Sequence, residues 1–454
     1  MPAPRWDAIV VGAGPSGTVA ADRLAAFGHR VLLLDAGPRL PRSASRITDV
    51  DRRAWPFSTV GLPFDWYRVR AVGGRAHLWG GWAYRFPRRS LERAGWPCGR
   101  VALDPLYDQL EARLRVTEGT VDERYREVGR RLGLSVLPKR AALGRRGPVW
   151  RPPEEPVVRR ARASRVAVRF EHERGRAAAL RAVSLESGRD LPLRARAYVL
   201  AASPIETARI LLASDIGPRA RGVGRNLVDH MVASYVLIEP APVPSPHGRG
   251  RFPGAALVES FVNLDEATAR PYRGGFSIEL TGPESLEEVN LERMVPGDEL
   301  HGHRATQIHA LGELFPHRRR FVDLDPERRD LVGAAAPRLH LAWTRAEERL
   351  AKDLRTACTQ LADALAIPGS RLIPVVDPLQ PGAGHEAGTC AMGPPEVAPC
   401  DGRGRLRALD NVWIADAAAL PTAGDRHPTL TLLAHALRAA DDAARHLAGG
   451  HGGI

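Results

Sequence analysis

Two histidines late in the chain have the chemistry to move a proton. His385 sits in GHEAGTCAMG and His427 in GDRHPTLT, 42 residues further on. An imidazole titrates near neutral pH, so two of them facing one hydroxyl can share the proton of an alcohol while its carbon is oxidised. On spacing alone the plainer reading is two unrelated histidines at strand or loop ends. The stretch between them, with VWIADAAALPT, offers a strand and a turn, a layout that brings both to one side of a site.

A second constellation binds rather than reacts. Gly12, Gly14 and Gly17 form G-x-G-x-x-G directly after the apolar run DAIVV, with Pro15 and Ser16 opening a helix. The first glycine allows the tight turn, the second lets backbone approach a pyrophosphate, and the third lets helix and strand pack closely. The phosphates then meet the free N–H groups and the dipole of the helix N-terminus. Asp35, followed by Ala36, closes the next strand 18 residues past Gly17. Its carboxylate accepts from ribose hydroxyls and repels a 2′-phosphate, which argues against NADP. The motif marks a dinucleotide site without choosing FAD over NAD.

The elements that must position these groups read as α/β. Residues 6–35 are strand, turn, helix and strand; 104–115 is helical; 118–160 is weakly patterned, with an Arg/Pro-rich connector at 145–160. Residues 165–200 read as several short strands leading into the helix IETARILLAS. Residues 231–375 hold strand-like runs and an amphipathic helix near 345–365, and a helix over 428–447 starts with Pro428 at its first position.

Composition bounds the class. The 454 residues exceed one ordinary core, and 44% are apolar, enough for a globular enzyme. The sequence has no run resembling a membrane span or a signal peptide, so a cytoplasmic enzyme with no membrane partner is expected. The formal charge of +13 comes almost wholly from scattered arginines, Lys139 and Lys352 being the only lysines. No nucleic-acid module accompanies it, so no nucleic-acid partner is expected. Cys98, Cys358, Cys390 and Cys400 lack CxxC spacing and read as free thiols, a Cys390–Cys400 disulfide being the less favoured alternative. His301, His303 and His309 lack a cysteine or carboxylate at ligand spacing and read as surface or pocket histidines; no metal is expected.

The two histidine segments, taken with VWIADAAALPT, resemble the C-terminal signature of the glucose–methanol–choline (GMC) oxidoreductases, FAD enzymes that oxidise alcohols. AVGGRAHLWGG (71–81) resembles the family's flavin loop, ASPIETARILLASDIGP (202–218) its second signature, and GVGRNLVDH (222–230) its G-x-N-L-x-D-H segment. GELFPHRRRFVDLDPERRD (312–330) resembles a stretch of bacterial members. The resemblance implies a Rossmann-like FAD-binding domain (1–40, 70–100, 155–230 and 376–454) interleaved with a sheet-based substrate-binding domain (231–375, with parts of 41–69 and 101–154).

By the same resemblance His385 is the general base, and His427 orients the substrate oxygen or shares the proton. Gly74, Arg75, Trp79, Gly80 and Trp82 approach the flavin, Asp416 and Ala417 lie beside the ribityl–pyrophosphate chain, and Val166 meets the adenine side. Pro428 and Thr429 place a helix start against the flavin pyrimidine. Some relatives tether FAD through a histidine four residues after the double glycine; here that position is Leu78, with His77 one residue early, so non-covalent FAD is expected. The segment 231–375 is short and free of long greasy runs, which favours a sugar, aminosugar, cyclitol or glycoside, with Gln307 and Glu313 as candidate readers or surface residues. The electron acceptor stays open between oxygen, a quinone and a protein. A non-redox lyase of the hydroxynitrile-lyase type and a protein keeping FAD structurally are the competing readings.

Overall fold

The computed structural model describes residues 5–40, 53–145, 147–217, 221–242, 255–259, 262–263, 266–285, 303–382 and 384–449. Four parallel strands form one sheet in the order Val412–Ile414, Ala195–Leu200, Trp6–Val11, Val31–Leu34. Both faces are covered, which is why these strands are near-continuously apolar. On one face Ala8, Val10, Leu33 and Val199 pack against the glycine-rich helix Pro15–Ala26 and the C-terminal helix Thr429–Gly449. On the other, Ile9, Leu34, Tyr198 and Leu200 meet Phe170 and Leu180 of a three-stranded antiparallel sheet (Arg165–Glu173, Arg176–Ser184, Asp190–Leu193).

A second, six-stranded antiparallel sheet runs Arg371–Val376, His230–Glu239, Arg304–Glu313, Phe276–Ser285, Ala256–Glu259, Ser135–Pro138. Its alternation sorts the two faces. Ile278, Leu280, Ile308 and Ala310 turn toward Leu350, Leu354 and Cys358 of the helix Arg345–Leu365. The intervening residues Glu279 and His309 stand opposite one another on the other face, as do Thr281 and Gln307. Leu257, paired with Glu279, packs there on Trp82 and Tyr84. A smaller sheet joins Phe321–Arg329, Ala335–Leu341 and Ser58–Gly61.

Several elements depart from the sequence reading. A helix at Glu123–Leu132 lies inside the weakly patterned stretch; Asp122 caps its start and Gly133 ends it with φ 65°. Only Tyr125, Val128 and Gly129 of it are buried, so its apolar period is faint. The helix expected at 104–115 begins earlier, at Arg100, with Pro105 in its second turn. The last helix starts at Thr429; Pro428 stands just before it, its carbonyl accepting from Leu432 N–H at 2.8 Å. Ser58–Gly61 forms an edge strand in a stretch to which the sequence reading assigns no element. All four cysteines are free, with the Cys390 and Cys400 sulfurs 3.5 Å apart. Among the described residues no helix is long and apolar enough to cross a membrane.

Candidate active site

A cavity of about 580 Å³ opens at the carboxyl ends of the parallel strands. The glycine turn forms its floor. Gly12 has φ 102°, and a side chain on it would meet Ala201 O at 2.2 Å. A Cβ on Gly17 would sit 1.8 Å from Gly12 O, so that glycine serves helix–strand packing and does not line the cavity. A Cβ on Gly14, by contrast, would project into open space, and Gly14 lines the cavity with Pro15 and Ser16. Gly74 approaches from the opposite loop, close enough that a Cβ there would lie 3.4 Å from Gly14 Cα.

Three buried carboxylates face this space, Asp35, Asp416 and Glu386, the last of them paired with Arg75. Asp35 accepts from Ala13 N–H and Gly37 N–H, each at 2.8 Å. Asp416 accepts from Thr207 Oγ1 at 2.6 Å and Ala418 N–H at 2.9 Å. Burial pushes Asp35 and Asp416 up to about 6 despite these donors. Each oxygen keeps acceptor capacity for a further hydroxyl. Ala36, Arg75, Trp79, Val166, Ala417, Pro428 and Thr429 complete the wall together with His385. An elongated ligand with phosphates at the glycine turn and hydroxyls at the carboxylates fits this lining. Gly80, Trp82 and His427 lie outside the lining; Leu78 is part of it, and His77 is turned away, its Nε2 2.9 Å from Val72 O.

Behind His385 runs a chain of ring contacts. His385 Nε2 lies 3.2 Å from His427 Nδ1, and His385 Nδ1 lies 2.9 Å from His230 Nδ1. His230 Nε2 points at Gly424 O, 2.9 Å away. At the other end His427 Nε2 is 2.6 Å from Glu279 Oε1, an approach better aligned for charge pairing than for a linear hydrogen bond. Trp82 stacks on His427 with centroids 5.6 Å apart and planes 15° apart, and Lys139 Nζ lies 4.4 Å from the Trp82 ring centroid. Asp229 fixes the crossing by accepting His385 N–H at 2.9 Å and His230 N–H at 2.7 Å.

Burial, joined by the repulsion a charged His385 would meet from Arg75 and from any proton added to His427, His230 or His309, holds His385 well below the usual histidine value. Burial, helped by positive charge on His427 and opposed by the contact with Gly424 O, takes His230 down to about 4. Burial raises Glu279, but the charge and contact of His427, with His309 and Lys139, outweigh it and hold the carboxyl below its usual range. Arg75 anchors the loop before His385 by donating to Gly384 O at 2.6 Å and pairing with buried Glu386.

The structure thus brings His385 and His427 into contact and puts most of the expected cofactor residues on one cavity. Sequence reasoning gave no role to His230, Asp229 or Glu279. Glu279 carried a signal, since FSIELTG alternates polar and apolar residues; so did GVGRNLVDH, whose last two residues are Asp229 and His230. Glu313 is not a substrate reader: it is 1% exposed, paired with Arg93, and accepts from Thr422 Oγ1 at 2.7 Å. Gln307 is half-buried on the Glu279 face, within 3.5 Å of Glu284. His309, read with His301 and His303 as a surface or pocket histidine, faces Glu279; His301 lies outside the described residues. Among the described residues no cluster of histidine, cysteine and carboxylate side chains is arranged to hold a metal.

Comparison with known proteins matches this arrangement. The GMC oxidoreductase pattern fits residues 154–232 and 316–436, and an NAD(P)-binding Rossmann-like domain pattern fits residues 10–71. The chain is 26% identical to 6'''-hydroxyparomomycin C oxidase of Streptomyces lividus, over 98% of this chain and 92% of that protein. It is 27% identical to paromamine 6'-oxidase of Streptomyces fradiae with the same coverage. It is 24% identical to 2-methyl-1,2-propanediol dehydrogenase of Mycolicibacterium austroafricanum, over 97% and 95%. Pyridoxine 4-oxidase from Mesorbium loti shares the fold, with a TM-score of 0.66, 20% identity, and 96% and 99% of the two chains covered. A formate oxidase variant from Aspergillus oryzae does so at a TM-score of 0.69, with 15% identity and 99% of each chain covered. Joined to a dinucleotide cradle that opens beside a histidine pair, these matches make the chain a member of the GMC oxidoreductases, enzymes that use FAD to oxidise alcohols.

Proposed function

We propose that this enzyme oxidises a CH–OH group of a small polar, sugar-like substrate, with an amino sugar or glycoside as its class. The observation that carries the chemistry is the His385–His427 contact at 3.2 Å, with His385 at the cavity wall. The sugar-like assignment rests on relatives named for paromamine and 6'''-hydroxyparomomycin. It draws further support from the polar face of the six-stranded sheet, where half-buried Thr281, Gln307 and His309 are at hand for hydroxyls and amines. In this reading the parallel-sheet part of the chain holds the cofactor and the six-stranded part receives the substrate. The enzyme works in the cytoplasm, in keeping with four free thiols.

When bound, FAD supplies the hydride acceptor. Asp35 would take its ribose hydroxyls, Gly12, Gly14 and the start of the helix Pro15–Ala26 its phosphates, Asp416 and Ala417 its linking chain, and Arg75, Trp79, Pro428 and Thr429 the ring end. Non-covalent attachment is supported by Leu78 at the tethering position and by His77 turning to Val72 O.

The chain's own groups handle the proton. With Glu279 ionised, the proton of His427 lies on Nε2. His385 holds its proton on Nδ1, toward His230. Two lone pairs, His385 Nε2 and His427 Nδ1, then face each other across 3.2 Å, and the pair is one proton short. A substrate hydroxyl donates that proton as its carbinol hydrogen leaves with both electrons and the C=O bond forms. The imidazolium so created is balanced by Glu279 at 2.6 Å.

The test is anaerobic addition of paromamine and a panel of simple sugars to the purified yellow enzyme. Bleaching of the flavin band by an amino sugar, abolished in His385→Ala, is the expected result. Unbleached flavin across the panel would move the reading toward non-redox lyase chemistry. Acid precipitation should release the colour; colour kept in the pellet would overturn non-covalent attachment.

A further inference from the structure

The base His385 has two ring nitrogens, and only one faces His427. Which of them carries the proton decides whether the residue can accept a second one from substrate. We infer that His230 is a positioning residue that sets this choice, an inference that rests on the histidine-base reading above.

A carbonyl oxygen only accepts, so the 2.9 Å contact with Gly424 O puts the His230 proton on Nε2. His230 is 2% exposed and stays neutral, so its Nδ1 is left as a lone pair. The contact of 2.9 Å between the two Nδ1 atoms then requires a proton from His385. His385 is thereby held as the Nδ1–H form, and its free lone pair sits on Nε2, the nitrogen toward His427. The rings are crossed at 88°, so the Nδ1–H of one can point along the lone pair of the other. Asp229 holds both backbones by accepting the two amide protons, which leaves little play in the contact.

The charges facing the pair come from every packed element. Asp229 lies at the start of its own strand, Glu279 and His309 on the six-stranded sheet, Asp425 and His427 on the segment before the last helix, and Arg75 and Glu386 by the cavity. None of them offers His385 Nδ1 an acceptor in place of His230. Without that acceptor, the Nδ1–H and Nε2–H forms of His385 compete, and the second presents a donor where the reaction needs a base.

The experiment compares His230→Leu with His230→Asn in the FAD-loaded enzyme. Asparagine can present a carbonyl oxygen near the place of Nδ1; leucine cannot. Flavin reduction by saturating substrate should slow on the order of 10²- to 10⁴-fold in His230→Leu, with KM little changed and the pH profile displaced. His230→Asn should recover most of the rate and the profile. Equal losses in both variants, or unchanged rate in His230→Leu, would overturn the inference. A second measurement needs neither substrate nor a folded variant at this position. In ¹⁵N-histidine-labelled wild-type holoenzyme, with His385→Asn used for assignment, His385 should show a protonated Nδ1 and a bare Nε2. A protonated Nε2 on neutral His385 would refute the assignment, even if no tested alcohol reduces the flavin.

Discussion

Replacing Glu279 by glutamine removes the charge that balances the proton-bearing histidine pair while keeping size and hydrogen-bonding capacity. The carboxylate is 5% exposed and 2.6 Å from His427 Nε2, so the two charge centres lie roughly 4 Å apart. At an effective dielectric near 20 such a pair is worth about 4 kcal/mol. The amide oxygen can still accept from the ring, which returns part of the loss. A net penalty of about 2 to 3 kcal/mol on the protonated pair corresponds to a rate lower by about 30- to 150-fold. The sign for pH follows: a pair without its counter-charge gives up its proton at lower pH, so the acidic limb of the rate profile moves down. Anaerobic stopped-flow reduction of the flavin from pH 5 to 9 reads both effects. Rates within about threefold of wild type and an unmoved limb, at equal FAD content and melting temperature, would refute the counter-charge argument.

Gly14→Ala should fold, because its Cβ meets open space, but should lose FAD; Gly17→Ala should fail to fold, with its Cβ 1.8 Å from Gly12 O. Melting curves and flavin content of the two purified proteins separate these outcomes. Asp35→Asn should weaken FAD about 10- to 100-fold, since charge-assisted bonds to the ribose are worth about 1.5 to 3 kcal/mol; fluorescence titration of the apoprotein measures it. Buried His230 and His435 are both held at about 4 by desolvation, so as pH falls from roughly 6.5 the unfolded chain binds those protons first and stability is lost toward pH 4. His435 alone accounts for about 3 kcal/mol of that loss, so His435→Gln should flatten the melting temperature against pH below 6; an identical slope would contradict its buried, neutral state.

What the sequence discloses is what is local or borne by a signature. The glycine turn needs only adjacent residues, and its third glycine has the close-packing role its spacing implies, down to the clash a methyl would make with Gly12 O. The histidine pair is visible because its flanking residues resemble a family. His230 is 155 residues from His385, and nothing in either segment announces that their Nδ1 atoms meet. Glu313 misleads for a similar reason. A carboxylate on a strand near a substrate region invites a binding role, but Arg93 and Thr422 claim it from elements that lie 220 and 109 residues away in the chain. Helix Glu123–Leu132 escapes because six of its ten residues are charged and it rests on three buried residues.

The placement of Glu279 follows from the same register that folds its sheet. Leu257, Glu279 and His309 stand opposite one another on three neighbouring strands, while Ile278, Leu280, Ile308 and Ala310 occupy the alternate positions. A slip of one residue would exchange the faces. It would press Glu279 into the leucines of helix Arg345–Leu365 with no counter-charge, and it would turn Ile278 or Leu280 toward His427. Both halves of that exchange are costly, because a buried unpaired carboxylate and a lost apolar contact each cost several kcal/mol. The apolar stripe that anchors the sheet to its helix therefore also fixes the carboxylate against the histidine pair. A substitution such as Leu280→Asp, on the face turned away from the histidine pair, should then cost activity through register before it costs it through chemistry.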